Sequence, residues 1–156
     1  MSQKSPTPEE LLPVEELRDV SRKLVRELGF MQPTLGNTGL GPSGVHAVLE
    51  IGRTPGILAR DLAELLRLDK SNTSRQVAKL ESAGLVRRES VSDDARSFHL
   101  FLTESGQVLR DDIDRDVTDQ VSRALEMLAS PDRLQLIQCL TLYVEALQSV
   151  NQERTY

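Results

Sequence analysis

A chain of 156 residues with a formal net charge of −5 has one ordinary domain's length, enough to bury a core without disulfides or metals as staples. Its single cysteine, Cys139, excludes an internal disulfide and a multi-cysteine zinc site, and His46 and His99 lack metal-ligand spacing, so neither a metal nor a cofactor is expected. No stretch approaches the roughly 18 apolar residues of a membrane span, and Met1–Pro6 lacks a secretory apolar core, so a cytoplasmic chain with no membrane partner is expected.

In chain order, residues 1–12 read as a frayed lead-in, although Thr7-Pro8-Glu9-Glu10 has the form of a capping box. From Pro13, the spacing of Val14, Leu17, Ser21, Leu24 and Leu28 predicts a first helix that Gly29 stops. Turn formers crowd residues 33–41, and Pro42 opens a second helix with Val45, Val48 and Leu49 inward. Residues 57–68 read as a short helix that buries Leu58, Leu62, Leu65 and Leu66. A tight turn and another helix, Lys70 to Ala83, follow, and two short helices so joined suggest a helix-turn-helix. In the later helix Thr73, Val77 and Leu80 share one face, leaving Ser71, Asn72, Ser74, Arg75 and Lys79 largely on the other. Gly84 suits the left-handed position past its end, with Leu85 closing back onto Leu80.

Residues 85–102 form the pattern of a hairpin about the polar turn Ser92-Asp93-Asp94-Ala95, with Phe98, Leu100 and Leu102 giving the second strand an inner face. Thr103 caps a long helix with a stripe of Leu109, Ile113, Val117, Val121, Leu125 and Leu128. Ser130-Pro131 opens a last helix with an unusually wide apolar face. The fold class expected is mainly α with a small β-hairpin wing.

Charge is uneven along this plan. Residues 70–88 hold Lys70, Arg75, Lys79, Arg87 and Arg88 against one acid, Glu81, while residues 111–156 hold 4 basic and 9 acidic side chains. The acidic run Asp111, Asp112, Asp114, Asp116 and Asp119 spreads around a helix and reads as a solvated face rather than a metal site. Cys139, among apolar neighbours, reads as a buried structural thiol rather than a redox sensor.

The order of these elements, with Leu62-Ala63-Glu64-Leu65-Leu66-Arg67-Leu68-Asp69-Lys70-Ser71, Leu80-Glu81-Ser82-Ala83-Gly84-Leu85-Val86-Arg87-Arg88, Asp94-Ala95-Arg96-Ser97 and Leu102-Thr103-Glu104-Ser105-Gly106, resembles the MarR family over about residues 13–150. The resemblance implies a winged helix-turn-helix lobe at 42–103 and dimerisation helices at 13–32 and 104–152. It further implies a transcriptional regulator that binds double-stranded DNA as a homodimer, commonly a repressor released by a small-molecule effector held between lobe and dimer helices. The recognition helix would be residues 70–83, and the wing tip Arg96, braced by Asp94, would enter the minor groove. Three positions depart from the family pattern: Arg67 stands where glycine is frequent, Thr73 where valine is usual, and Leu58 where a capping Ser or Thr is common.

Phosphate neutralisation gives affinity and base-edge hydrogen bonds give specificity. Ser71 at the helix N-terminus suits a phosphate; Asn72, Ser74 and Arg75 suit base edges, because an arginine fork matches guanine's two acceptors; Lys79 suits the backbone. Lys70 and Arg88 complete the basic surface. The bland alternative is a solvated helix face on a winged-helix protein-interaction module that has no specific DNA binding, a reading the acidic net charge favours. No nucleophile, base and orienting group assemble into an enzyme site. His46 is a weak candidate for an effector contact, its commoner role being a satisfied, partly buried histidine.

Overall fold

The computed structural model describes residues 8–35, 38–91 and 94–153, without the side chains of 8–12, 91 and 94–97. Among the described residues six helices and three strands follow one another as α1 (Pro8–Glu27), α2 (Pro42–Arg53), β1 (Ile57–Leu58), α3 (Ala59–Leu66), α4 (Lys70–Ser82), β2 (Val86–Val91), β3 (Asp94–Leu102), α5 (Glu104–Glu126) and α6 (Ser130–Glu153). Two compact units divide the chain, residues 1–113 and 114–156.

The first helix starts at Pro8, inside the segment read from sequence as a lead-in. Pro8 at the first helical position has no amide to satisfy, and the helix runs on through the interior Pro13. The helix stops as foreseen at Gly29, whose φ of 81° lets the Phe30 and Gly29 amides bond back to the Val25 and Arg26 carbonyls.

The core of the first unit gathers Val45, Ala47, Val48 and Ile51 of α2, Leu62 of α3, Val77 and Leu80 of α4, and Leu100 of β3. Full burial of a side chain such as Ile51, Leu62, Leu80 or Leu100 stabilises the fold by about 2 kcal/mol. The three strands form one antiparallel sheet in the order β1-β3-β2, with Ile57 opposite Leu100 and Val86 opposite Leu102. The hairpin pairing becomes irregular between Ser90, opposite Phe98, and Val91, opposite Asp94; the turn residues 92 and 93 lie outside the described residues.

Two sequence readings change here. Ile57 and Leu58 are a strand, not the first turn of a helix, because β3 offers them a free edge and Gly56, at φ 84°, turns the chain onto it. Leu65 is 57% exposed, since the core-facing side of the short α3 is filled by Leu62 with Leu66 beside it.

Candidate nucleic-acid interface

The turn between α3 and α4 sets the position of α4. Arg67 takes the left-handed conformation (φ 51°, ψ 39°), and its amide bonds back to the Ala63 and Glu64 carbonyls, so α3 ends sharply and α4 begins three residues later. Leu58, at the start of α3, supplies no side-chain cap. The following helix is capped at both ends. Asp69 accepts the Asn72 amide at 2.8 Å. At the other end Gly84 (φ 72°) lets its own amide and that of Leu85 bond to Glu81 and Leu80, a complete Schellman closure. Thr73, the residue standing in for valine, is 3% exposed, and its hydroxyl donates to the Asp69 carbonyl at 3.0 Å, so the buried polar atom is satisfied.

With Thr73, Val77 and Leu80 buried, the opposite face of α4 is open: Lys70, Ser71, Asn72, Ser74, Arg75 and Lys79 are all exposed. A ladder of side chains runs along it. The Asn72 side-chain amide donates to Asp69 Oδ2, and Arg75 Nη2 donates to Asn72 Oδ1. The backbone bond from Asn72 holds the Asp69 carboxyl below the usual carboxylate range; the Asn72 side chain, the Ser71 amide and the Arg75 charge act the same way, against desolvation, which raises it.

The neighbouring helix α2 adds a groove of about 340 Å³ beside this face, lined by Ser43 together with Asn72, Arg75, Gln76 and Lys79. Ser43 Oγ donates to Gln76 Oε1 at 3.2 Å, and Gly44 leaves room for the Gln76 amide, which a Cβ at that position would meet at 2.7 Å. Sequence reasoning missed both Gln76 and Ser43, which lie 33 residues apart and carry no shared local signal. It also missed Asp69 as the cap, for which the Asp69-to-Asn72 spacing was a usable sign.

The basic concentration read at 70–88 divides in space. Arg87 lies 4.5 Å over the Phe101 ring and pairs with Glu89. Arg88, less exposed than the α4 residues, has its guanidinium 5.6 Å over the Phe98 ring and its Nε 2.9 Å from Glu81 Oε2, although that N–H is not aligned for a hydrogen bond. Neither Arg87 nor Arg88 is a free cation, whereas Lys70 and Lys79 point to solvent with no ion pair among the described residues. Asp94 and Arg96 have their backbones in β3, but their side chains lie outside the described residues.

On the other flank of α4 a cavity of about 550 Å³ is walled by Leu58, Ala63, Val77, Phe98 and Leu100, with Lys70 and Arg88 at its polar side. His46 is elsewhere, half-buried and stacked on Phe30 at a centroid distance of 5.3 Å. Cys139 is exposed on α6, which corrects the buried thiol expected from its neighbours, because α6 buries none of its residues within the single chain.

The same arrangement recurs in known proteins. Residues 38–97, from the start of α2 into the wing, match the family model described as MarR family. Over that segment the chain is similar to the MarR family. The HTH-type transcriptional regulator BilQ of Clostridium symbiosum (strain WAL-14163) is 32% identical over 78 residues, covering 50% of this chain and 54% of BilQ, so the match spans about half of that relative's length. AbsC, a MarR family transcriptional regulator from Streptomyces coelicolor, is 26% identical with a TM-score of 0.73, over 94% of this chain and 99% of AbsC. The Streptococcus pneumoniae FabT structure, solved in complex with DNA, shares the fold at a TM-score of 0.74 and 17% identity, over 88% of this chain and 96% of FabT. BilQ and AbsC are both described as transcriptional regulators.

Proposed function

We propose that this protein is a cytoplasmic transcriptional regulator of the MarR family that binds a pseudo-palindromic operator as a homodimer and represses nearby genes until a small molecule releases it. The observation that carries the reading is the division of α4 into a buried apolar face and an exposed one bearing Lys70, Ser71, Asn72, Ser74, Arg75 and Lys79. Asn72, Ser74 and Arg75 contact base edges; Ser71, Lys70 and Lys79 contact phosphates; and Arg96, braced by Asp94, reaches from the wing into the minor groove. Arg88, held by Glu81 and Phe98, steadies the base of the wing. A neighbour of the same fold, FabT, was solved in complex with DNA, which supports DNA binding. The cavity behind α4 lies within the lobe, not between lobe and dimer helices as the resemblance implies, and it supports effector release because a ligand that fills it more favourably in one orientation of α4 than another shifts the DNA affinity.

A duplex selected by the protein from a random pool provides the test, using fluorescence anisotropy across a salt series. Arg75→Ala should cost about 1–3 kcal/mol on the selected duplex and relax preference at one base pair, while Lys79→Ala should weaken all sequences alike and lower the salt slope by about 1. Wild-type affinity no greater for the selected duplex than for random DNA would reject operator reading, and absence of binding at low salt would favour a protein-interaction module.

A further inference from the structure

Asp69, the cap of α4, and two residues on the exposed face of that helix form a hydrogen-bonded series whose direction is set by chemistry. An ionised carboxylate only accepts and a guanidinium only donates, so an asparagine amide between them has one allowed orientation. Asn72 stands in that position: its Nδ2 donates to Asp69 Oδ2 and its Oδ1 accepts from Arg75 Nη2, while Asp69 Oδ1 takes the Asn72 backbone amide at 2.8 Å. The remaining capacity matters for readout. Asn72 keeps one N–H and one oxygen lone pair, the donor and acceptor that adenine N7 and N6 require together, and Arg75 keeps four of its five N–H groups, enough for guanine O6 and N7.

We propose that Asp69 is a specificity-determining positioning residue, presetting Asn72 and Arg75 in the free protein so that their unspent hydrogen-bonding groups meet base edges without first being ordered. The inference rests on the operator-reading function above and assigns to Asp69 a part in it beyond capping. Side chains ordered before binding lose less rotamer freedom on the operator, and this gain is confined to complexes in which base edges answer them. Random duplexes, held by phosphate contacts alone, gain nothing from it.

Asp69→Ser separates capping from positioning. Serine still accepts an α4 amide as a helix cap, but its single short hydroxyl neither spans to the Asn72 side chain nor carries charge. The measurement is the ratio of dissociation constants for random and selected duplexes, taken for wild type, Asp69→Ser, Asn72→Ala and the double variant, with melting temperatures alongside. The expected result is an Asp69→Ser protein that melts close to wild type and has a ratio lower by about five-fold or more. In the Asn72→Ala background the same substitution should leave the ratio unchanged, because the path from Asp69 to the bases runs through Asn72. An unchanged ratio in Asp69→Ser, or an equal fall in both backgrounds, overturns the proposal while leaving operator reading intact. A wild-type ratio of one overturns operator reading and this inference with it.

Discussion

Arg67 shows how one residue can carry a cost visible only once the backbone is known. It is the sole non-glycine residue with positive φ among those described, and its exposed side chain makes no ion pair there. In the left-handed region the Cβ of an L residue crowds the following carbonyl, which costs about 1–2 kcal/mol, part of which glycine would lose again through greater freedom in the unfolded chain. Arg67→Gly should therefore raise unfolding stability by about 0.5–1 kcal/mol, measured as a higher urea midpoint at unchanged m-value. A lower midpoint would mean that the arginine side chain gives the turn more than the backbone loses. The departure from glycine was legible in the sequence, and the structure supplies the hand of the backbone that makes it expensive. Leu58 is the counterpart: it forgoes a cap at α3 but pairs through β1 with His99 and walls the cavity behind α4, and serine would contribute neither apolar surface nor packing there.

Where α4, the hairpin and α5 meet, three elements are fastened at one point. The Thr103 amide donates to the Leu85 carbonyl at 3.0 Å, its hydroxyl donates to the Gly84 carbonyl at 2.5 Å, and the same hydroxyl accepts the Gly106 amide at 3.1 Å as the cap of α5. The first turn of α5 lies so close to the exit of α4 that a Cβ on Gly106 would stand 2.0 Å from the Leu85 carbonyl oxygen, a backbone atom that cannot rotate away. Gly106→Ala should destabilise the protein by about 2–3 kcal/mol in thermal or denaturant unfolding, whereas the same change at Gly39 meets no atom of the described residues within 4 Å and strains its own backbone. Near-wild-type stability of Gly106→Ala would show that α5 can slide from this junction. The Thr103 cap, the Gly84 closure and the amphipathic division of α4 were legible because each is a local signal of fixed spacing. The strand Ile57–Leu58 was not, since two residues are too few to show alternation and their strand character comes from the distant β3 edge. The pairing of Arg87 with Phe101 and of Arg88 with Glu81 was equally hidden, and a count of charges along the chain overstated the free basic surface.

At the scale of the whole molecule, the periodic apolar stripes of the terminal helices were read correctly as stripes, but the single chain leaves them uncovered. Val14, Leu17, Leu24 and Leu28 toward one end of the sequence, and Leu134, Ile137, Leu140, Val144 and Leu147 toward the other, are exposed. Apolar surface of that extent on a helix is normally covered by a partner, and a second copy of the chain supplies the two-fold symmetry that a pseudo-palindromic operator requires. Ile137 is 56% exposed on α6, so replacing it with glutamate removes nothing from the core of either unit while placing a charge in the expected subunit contact. Wild type should sediment as a dimer, and Ile137→Glu should shift toward monomer while keeping its helical circular dichroism. Affinity for the selected duplex should fall by an order of magnitude or more, because two recognition helices linked in one dimer reinforce each other's binding and separate monomers do not. Contact with a single half-site should survive at low salt, since α4 and its Asp69–Asn72–Arg75 ladder are complete within one chain. A wild-type monomer at micromolar concentration would overturn the homodimer, and an Ile137→Glu dimer of undiminished affinity would place the subunit contact somewhere other than on the face of α6 that carries Ile137.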